Sequence, residues 1–170
     1  MGRARVVLVR PSARWSAAFV AAAHRSRRLH GRWVKAPSTP TAYRAYVRRL
    51  RRPTHEGYLI CLRDSDELVG VANISEIVRG ALRRGYLGYY VFRPYERHGL
   101  MTEGLRLVVR DAFHRLGLHR VEANIQPGNH ASIRLARRLG FRREGYSPRY
   151  LKIQGGWRDH ERWALLAARP

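Results

Sequence analysis

The stretch YLGYYVFRPYERHGLMTEGLRLVVRDAFHRLG, Tyr86 to Gly117, changes its apolar period part-way. Tyr86 to Phe92 reads as a strand, and Pro94 ends it because proline cannot donate to a ladder. Over 99–116 the residues Leu105, Val108, Val109, Ala112, Phe113 and Leu116 recur on one helical face. Gly117 stops that helix. A strand that feeds such a helix through a short turn must lay the helix against a sheet. The fold class is therefore α/β in the α+β sense, with mixed strands and helices packed on a sheet.

The rest of the chain agrees. RVVLV (5–9) reads as a short strand. Ser12 is placed to cap a helix reaching His24, with Trp15, Phe19 and Ala22 or Ala23 on one face. Thr39-Pro40 opens a second helix to Arg51, with Tyr43, Tyr46, Val47 and Leu50 as its stripe. YLICLR (58–63), a DSD turn and ELVGVANISEIV (67–78) read as strand, turn, strand. HRVEANIQ (119–126) is a strand, and Asn129 caps a helix that Gly140 ends. Phe141 to Tyr146 and Trp157 to Ala167 are two last strands around Gly155-Gly156.

No repeat, low-complexity segment or linker interrupts the 170 residues, so we expect a single domain over 1–170. One cysteine, Cys61, allows no internal disulfide and points to a reducing compartment. The N-terminus has too short an apolar run for a signal peptide, and nothing approaches a membrane span. A soluble cytoplasmic protein is expected. Lysine plus arginine number 34 against 12 acids, a formal +22, with only two lysines. An anionic partner accounts for that charge. GC-rich coding accounts for the arginine excess over lysine, although not for the shortage of acids. Eight histidines form neither an HExxH nor a Cys/His cluster, so no metal site is expected.

The turn after Tyr86–Phe92 carries the first functional signal. A helix N-terminus offers free N–H groups and a positive dipole end, and backbone that must approach a phosphate favours glycine. The amides of Arg97, His98, Gly99, Leu100, Met101 and Thr102 are thus candidate anion donors. A plain strand-to-helix turn, with Glu103 as its favourable first-turn acid, reads the same way. Neither a P-loop nor a GxGxxG fingerprint is present.

Taken together, YERHGLMTEGL, HRVEANIQPGNHASIRLARRLGF and REGY…YLKIQGGWRDHERWALL resemble the GCN5-related N-acetyltransferases (GNAT). Within them the similarity is to ribosomal-protein alanine N-acetyltransferases, which act on protein N-termini. The resemblance spans roughly Glu67 to Leu166. It implies a mixed central sheet that splays apart, flanked by helices, with acetyl-CoA as cosubstrate in the split. It implies that Gly99 lets the turn close on the pyrophosphate, that Tyr89, Tyr90 and Val91 bind the pantetheine arm through their backbone, and that Asn129 lies beside that arm. A helix-capping role for Asn129 is the alternative. Two positions depart from the family pattern: Glu96 stands where Gln or Arg is usual, and Met101 where Gly or Ala is usual.

Acetyl transfer needs an unprotonated amine and a proton for the leaving thiolate. An α-amino group, with a pKa near ~7.8, asks little of a base; lysine, near ~10.4, asks much more. Glu76 is the candidate base, if its strand turns it into the cleft; a solvated strand-edge acid is the plainer reading. Some N-terminal acetyltransferases place a glutamate where this chain has Asn124, which cannot act as a base. The tyrosine acid of many relatives is Ala136 here. Ser132 is the candidate acid in its place, with a small residue on a crowded helix face as the alternative. Tyr146, Tyr150 and Trp157 line either a peptide groove or the core.

The resemblance implies direct transfer in a ternary complex to a protein N-terminus, that of a ribosomal protein included, with ribosomal RNA meeting the basic surface. A small-molecule amine acetyltransferase and a non-catalytic RNA- or ribosome-binding module are the competing readings.

Overall fold

In a computed structural model, which describes residues 4–168, seven strands form one sheet in the order β1-β2-β3-β4-β5-β7-β6. The strands are β1 (Val6–Val9), β2 (Glu56–Leu62), β3 (Leu68–Val78), β4 (Arg84–Val91), β5 (Arg120–Ile125), β6 (Arg142–Ile153) and β7 (Gly156–Leu166). The helices are α1 (Ser16–Arg25), α2 (Arg27–His30), α3 (Pro40–Arg49), α4 (Leu100–His114) and α5 (His130–Arg138). Every neighbouring pair of strands is antiparallel except β4 and β5.

The sheet divides two cores. One face packs α4 and α5 through Leu105, Val108, Ala112, Ile133 and Ala136 onto Ile60, Ala72, Ile74, Leu87 and Val121. The other packs α1 and α3 through Phe19, Tyr43 and Tyr46 onto Leu59, Val71 and Phe92. Phe19 stacks within 4.7 Å of Tyr43 and meets Phe92 edge-on at 5.4 Å. Burial of Phe19 contributes roughly 1.5–3 kcal/mol by area alone.

The functional feature is where the sheet comes apart. β4 and β5 pair only through Arg84–Tyr86 and Arg120–Glu122. Beyond Tyr86 the two strands diverge, and Leu87 to Val91 have no partner on the β5 side. This is the splayed mixed sheet that the sequence implied.

Three local expectations need correction. Ser12 makes no side-chain cap bond; a 3-10 turn over Ala13–Trp15 follows it, and α1 starts at Ser16. The Ser12 carbonyl instead accepts from the Tyr43 hydroxyl at 3.0 Å. The strand expected at Phe141 to Tyr146 is β6, twelve residues long, paired with β7 across two register shifts. Tyr146 and Trp157 are exposed on that hairpin, so they are not core residues.

Candidate active site

Between β4 and α4 the backbone is left-handed at Arg97 (φ 69°) and at Gly99 (φ 77°). Successive N–H groups in such a turn form a concave nest that suits anions. Among the described residues, no acceptor meets the amides of Arg97, His98, Gly99, Leu100 and Met101. The Thr102 amide is different: it bonds to the Gly99 carbonyl at 3.0 Å, so it is not free as the sequence suggested. The turn is braced from outside. Arg5 donates through Nε to Glu103 at 2.8 Å and through Nη2 to the His98 carbonyl at 3.1 Å. That hydrogen bond from Arg5 is the chief cause holding the Glu103 carboxyl below its ordinary range.

The two unusual residues are accommodated locally. Glu96 is drawn to Arg93, with Nε 3.4 Å from one carboxylate oxygen, while its other oxygen is buried without a partner. Met101 fills a notch over Gly70 on β3: a Cβ at Gly70 would stand 2.5 Å from the Met101 sulfur. The absent side chain at Gly70 makes room for the long one at Met101.

The split presents one edge of β4. The Phe92 amide donates to the Val69 carbonyl at 2.8 Å, so the peptide groups of Phe92 and Tyr90 face β3. By strand alternation those of Leu87, Tyr89 and Val91 face the split. The expected backbone contact through Tyr90 is therefore not offered; its ring packs against His30 and Phe92 instead. The Val91 carbonyl already accepts from His30 Nε2 at 2.9 Å. Tyr89 bridges the split by its side chain, a role the sequence did not suggest. The Ser132 hydroxyl donates to the Tyr89 hydroxyl at 2.8 Å, which in turn donates to the Ser132 carbonyl at 3.1 Å. Burial pushes the Tyr89 phenol up to about 12, against the bond from Ser132. Asn129 caps α5, its Oδ1 accepting from the Ser132 amide at 3.2 Å. The cap leaves its amide nitrogen to face other groups. Ala136 is buried in the core, so the face it shares with Ser132 turns inward there.

Across the split lies β5, and Glu76 lies near the closed end. Glu76 sits at φ 50° in a bulge of β3 between Ser75 and Val78, exposed, one residue from the Ser75–Tyr86 pair. No hydrogen bond or ion pair joins it to Ser132, Asn129 or the glycine turn among the described residues. At the vertex of the split, Glu122 is held by Arg120 at 2.8 Å and Arg84 at 3.9 Å. Next along β5, the Asn124 Oδ1 is buried and has no partner among the described residues. The alternation of HRVEANIQ was the available signal: Val121, Ala123 and Ile125 enter the core, which turns Glu122 and Asn124 to this face.

The family model for the acetyltransferase (GNAT) domain matches residues 5–142. The chain belongs to the GNAT acetyltransferase family. It is 39% identical over 121 residues to "Probable N-acetyltransferase YjcK" of Bacillus subtilis (strain 168), covering 71% of this chain and 67% of that one. It is 44% identical over 102 residues to the [ribosomal protein uS5]-alanine N-acetyltransferase of Escherichia coli (strain K12), covering 60% of this chain and 53% of that one. The aligned region is thus about half the length of that relative. Among solved structures, Mycobacterium smegmatis RimJ in complex with CoA-disulfide superposes with a TM-score of 0.88 at 28% identity, covering 95% of this chain and 82% of that one.

This GNAT chain is an N-acetyltransferase, and its cosubstrate is acetyl-CoA. Its residues fit that group. Five free amides and the N-terminus of α4 suit a pyrophosphate, and the unpaired edge of β4 suits an amide-bearing arm.

Proposed function

We propose that the enzyme acetylates the N-terminal α-amino group of a protein in the cytoplasm, of the ribosomal-protein alanine type. The observation that carries this reading is the buried, unpartnered Oδ1 of Asn124 at the open part of the split. An amide oxygen accepts a hydrogen bond from an amine and orients it, but it takes no proton. That suits an α-amine, which is partly neutral near pH 7, and not a lysine. The likeness to the uS5-alanine enzyme supports the same acceptor.

Acetyl-CoA, when bound, supplies the acetyl group as a thioester. The amides of Arg97 to Met101 are proposed to hold its pyrophosphate, with the dipole of α4 adding to the field. The edge groups of Tyr89 and the free amide nitrogen of Asn129 are proposed to hold its arm. Ser132 is proposed to turn its hydroxyl hydrogen from Tyr89 to the departing sulfur, and the Tyr89 phenol, protonated at neutral pH, is proposed to turn its own hydrogen from the Ser132 carbonyl to the Ser132 hydroxyl oxygen. Glu76 is proposed to take the amine proton through water, since it stands on the bulge and not in the split.

The test compares peptides with a free N-terminal Ala or Ser against N-blocked peptides carrying lysine. The first class is expected to be acetylated far faster. Equal rates, or a preference for lysine, reject N-terminal specificity.

A further inference from the structure

The chain's basic residues are unevenly placed. The first acid in the sequence is Glu56, and fourteen basic residues come before it. That acid-free third builds α1, α2, α3 and the connection from Gly31 to Ser38. Arg25, Arg27, Arg28, Arg32 and Lys35 are exposed, and none joins an ion pair among the described residues. Their fields are therefore uncompensated.

The connection forms a strap held at two points. It reaches the β6–β7 turn, where Gln154 Nε2 donates to the Gly31 carbonyl at 3.0 Å. It also reaches the turn before α5: a Cβ at Gly128 would stand 3.3 Å from the Trp33 ring. Between the strap and the hairpin turn lies a cavity of about 470 Å³. That size suits a small ligand or a short peptide segment. Arg27 and Lys35 stand at its rim, Val34 and Ala36 give it apolar surface, and no acid lines it. The nearest acid on the hairpin, Asp159, is occupied by the Tyr146 hydroxyl and the Arg149 amide. His30 forms part of the wall and bonds to the Val91 carbonyl, so the cavity adjoins the edge of the split.

We infer that this cavity receives the residues that follow the acceptor's N-terminal one, and that Arg27 and Lys35 select acidic side chains there. The inference rests on the N-terminal reading above and names its substrate class. A carboxylate gains attraction from both cations with no acid nearby to oppose it, and a lysine is repelled by both. The cavity favours a peptide over RNA because it is small, has apolar wall from Val34 and Ala36, and adjoins the split through His30.

The experiment uses short peptides with free N-terminal alanine and Asp/Glu, Gln or Lys at the next three positions. They are assayed for acetylation and, fluorescently labelled at the C-terminus, for binding to the CoA-loaded protein. The acidic peptide is expected to show a KM at least tenfold below the basic one, with the gap narrowing as salt rises. The Arg27→Glu/Lys35→Glu double variant, changed at two exposed positions, is expected to lose or reverse the ranking and keep its affinity for acetyl-CoA. Equal KM values for the three peptides, or an unchanged ranking in the double variant, overturn the inference and leave the N-terminal reading standing. Charge-selective binding that the double variant loses, without acetylation of any peptide, keeps the cavity as a site for acidic peptide and removes the N-terminal reading. Absence of both binding and acetylation removes both. A single-stranded RNA that binds more tightly than the acidic peptide, and loses this in the double variant, assigns the surface to RNA and overturns the inference.

Discussion

Gly99 is needed for its backbone and not for space within the chain. Its φ of 77° strains any L side chain, yet a Cβ there would meet only Arg5 Nη2, at an ordinary 3.5 Å. A β-branched side chain strained at that φ is instead expected to reset the turn and disturb the free amides around it. Gly99→Val is expected to weaken acetyl-CoA binding at least tenfold, about 1.4 kcal/mol, by calorimetry. Asparagine tolerates the left-handed region, so Gly99→Asn separates obstruction from strain. Unchanged affinity in a folded variant would remove the cradle. At Ser132 the expectation is kinetic. Ser132→Ala should lower the maximal rate on the order of 10²-fold with cosubstrate binding kept, and Tyr89→Phe should share part of the loss because it breaks the same hydroxyl pair. Wild-type turnover in Ser132→Ala, where chemistry limits the rate, would leave the pair as packing alone.

At the scale of elements, α2 depends on one side chain. His30 is buried, donates to the Val91 carbonyl and meets the Tyr90 ring edge-on at 5.1 Å. Burial lowers its proton affinity, with the carbonyl bond pulling the other way. The folded pKa therefore lies below the unfolded value near ~6.5. The neutral-histidine contribution is complete above that value and is lost as pH falls through it toward the folded pKa. The melting temperature should fall between about pH 7 and pH 5.5, and less steeply in His30→Gln, which keeps a donor without titrating. Buried His160 shifts in the same direction and should retain part of the slope. Equal slopes in the two proteins would reject the role of His30. These elements also show what a sequence displays. Thr39-Pro40 was legible because capping is local, and the Thr39 hydroxyl accepts from the Ala42 amide at 3.1 Å. Ser12 carries the same local signal, but Tyr43 takes its carbonyl from thirty-one residues away and a tight turn replaces the cap. α2 has four residues and no apolar period, and it reaches its contact in β4 only through the tertiary fold. The length of β6 was hidden because its exposed residues carry no alternation; pairing with β7 creates it.

Across the whole molecule, the split follows from strand pairing that lies beyond any local pattern. Period and turn chemistry revealed which segments are strands, and family motifs supplied the splay; the parallel joint of β4 to β5 needs partners far apart in the chain. The site divides in the same way. Gly99 and Asn129 were readable from the chemistry of a helix start, whereas the Tyr89–Ser132 pair joins residues forty-three apart and had no sequence signature. Glu76 looked like a strand residue until the bulge turned it out to solvent. The three-rung joint, Arg84–Tyr86 against Arg120–Glu122, also makes the molecule two half-sheets hinged at one corner. A ligand lying along the open edge of β4 completes a ladder that the chain leaves unfinished, much as an added thread closes a seam. Occupancy and conformational integrity are then linked: at a hundredfold excess over Kd the cosubstrate adds about 2.7 kcal/mol to the folded state, so the melting temperature is expected to rise with the supply of acetyl-CoA.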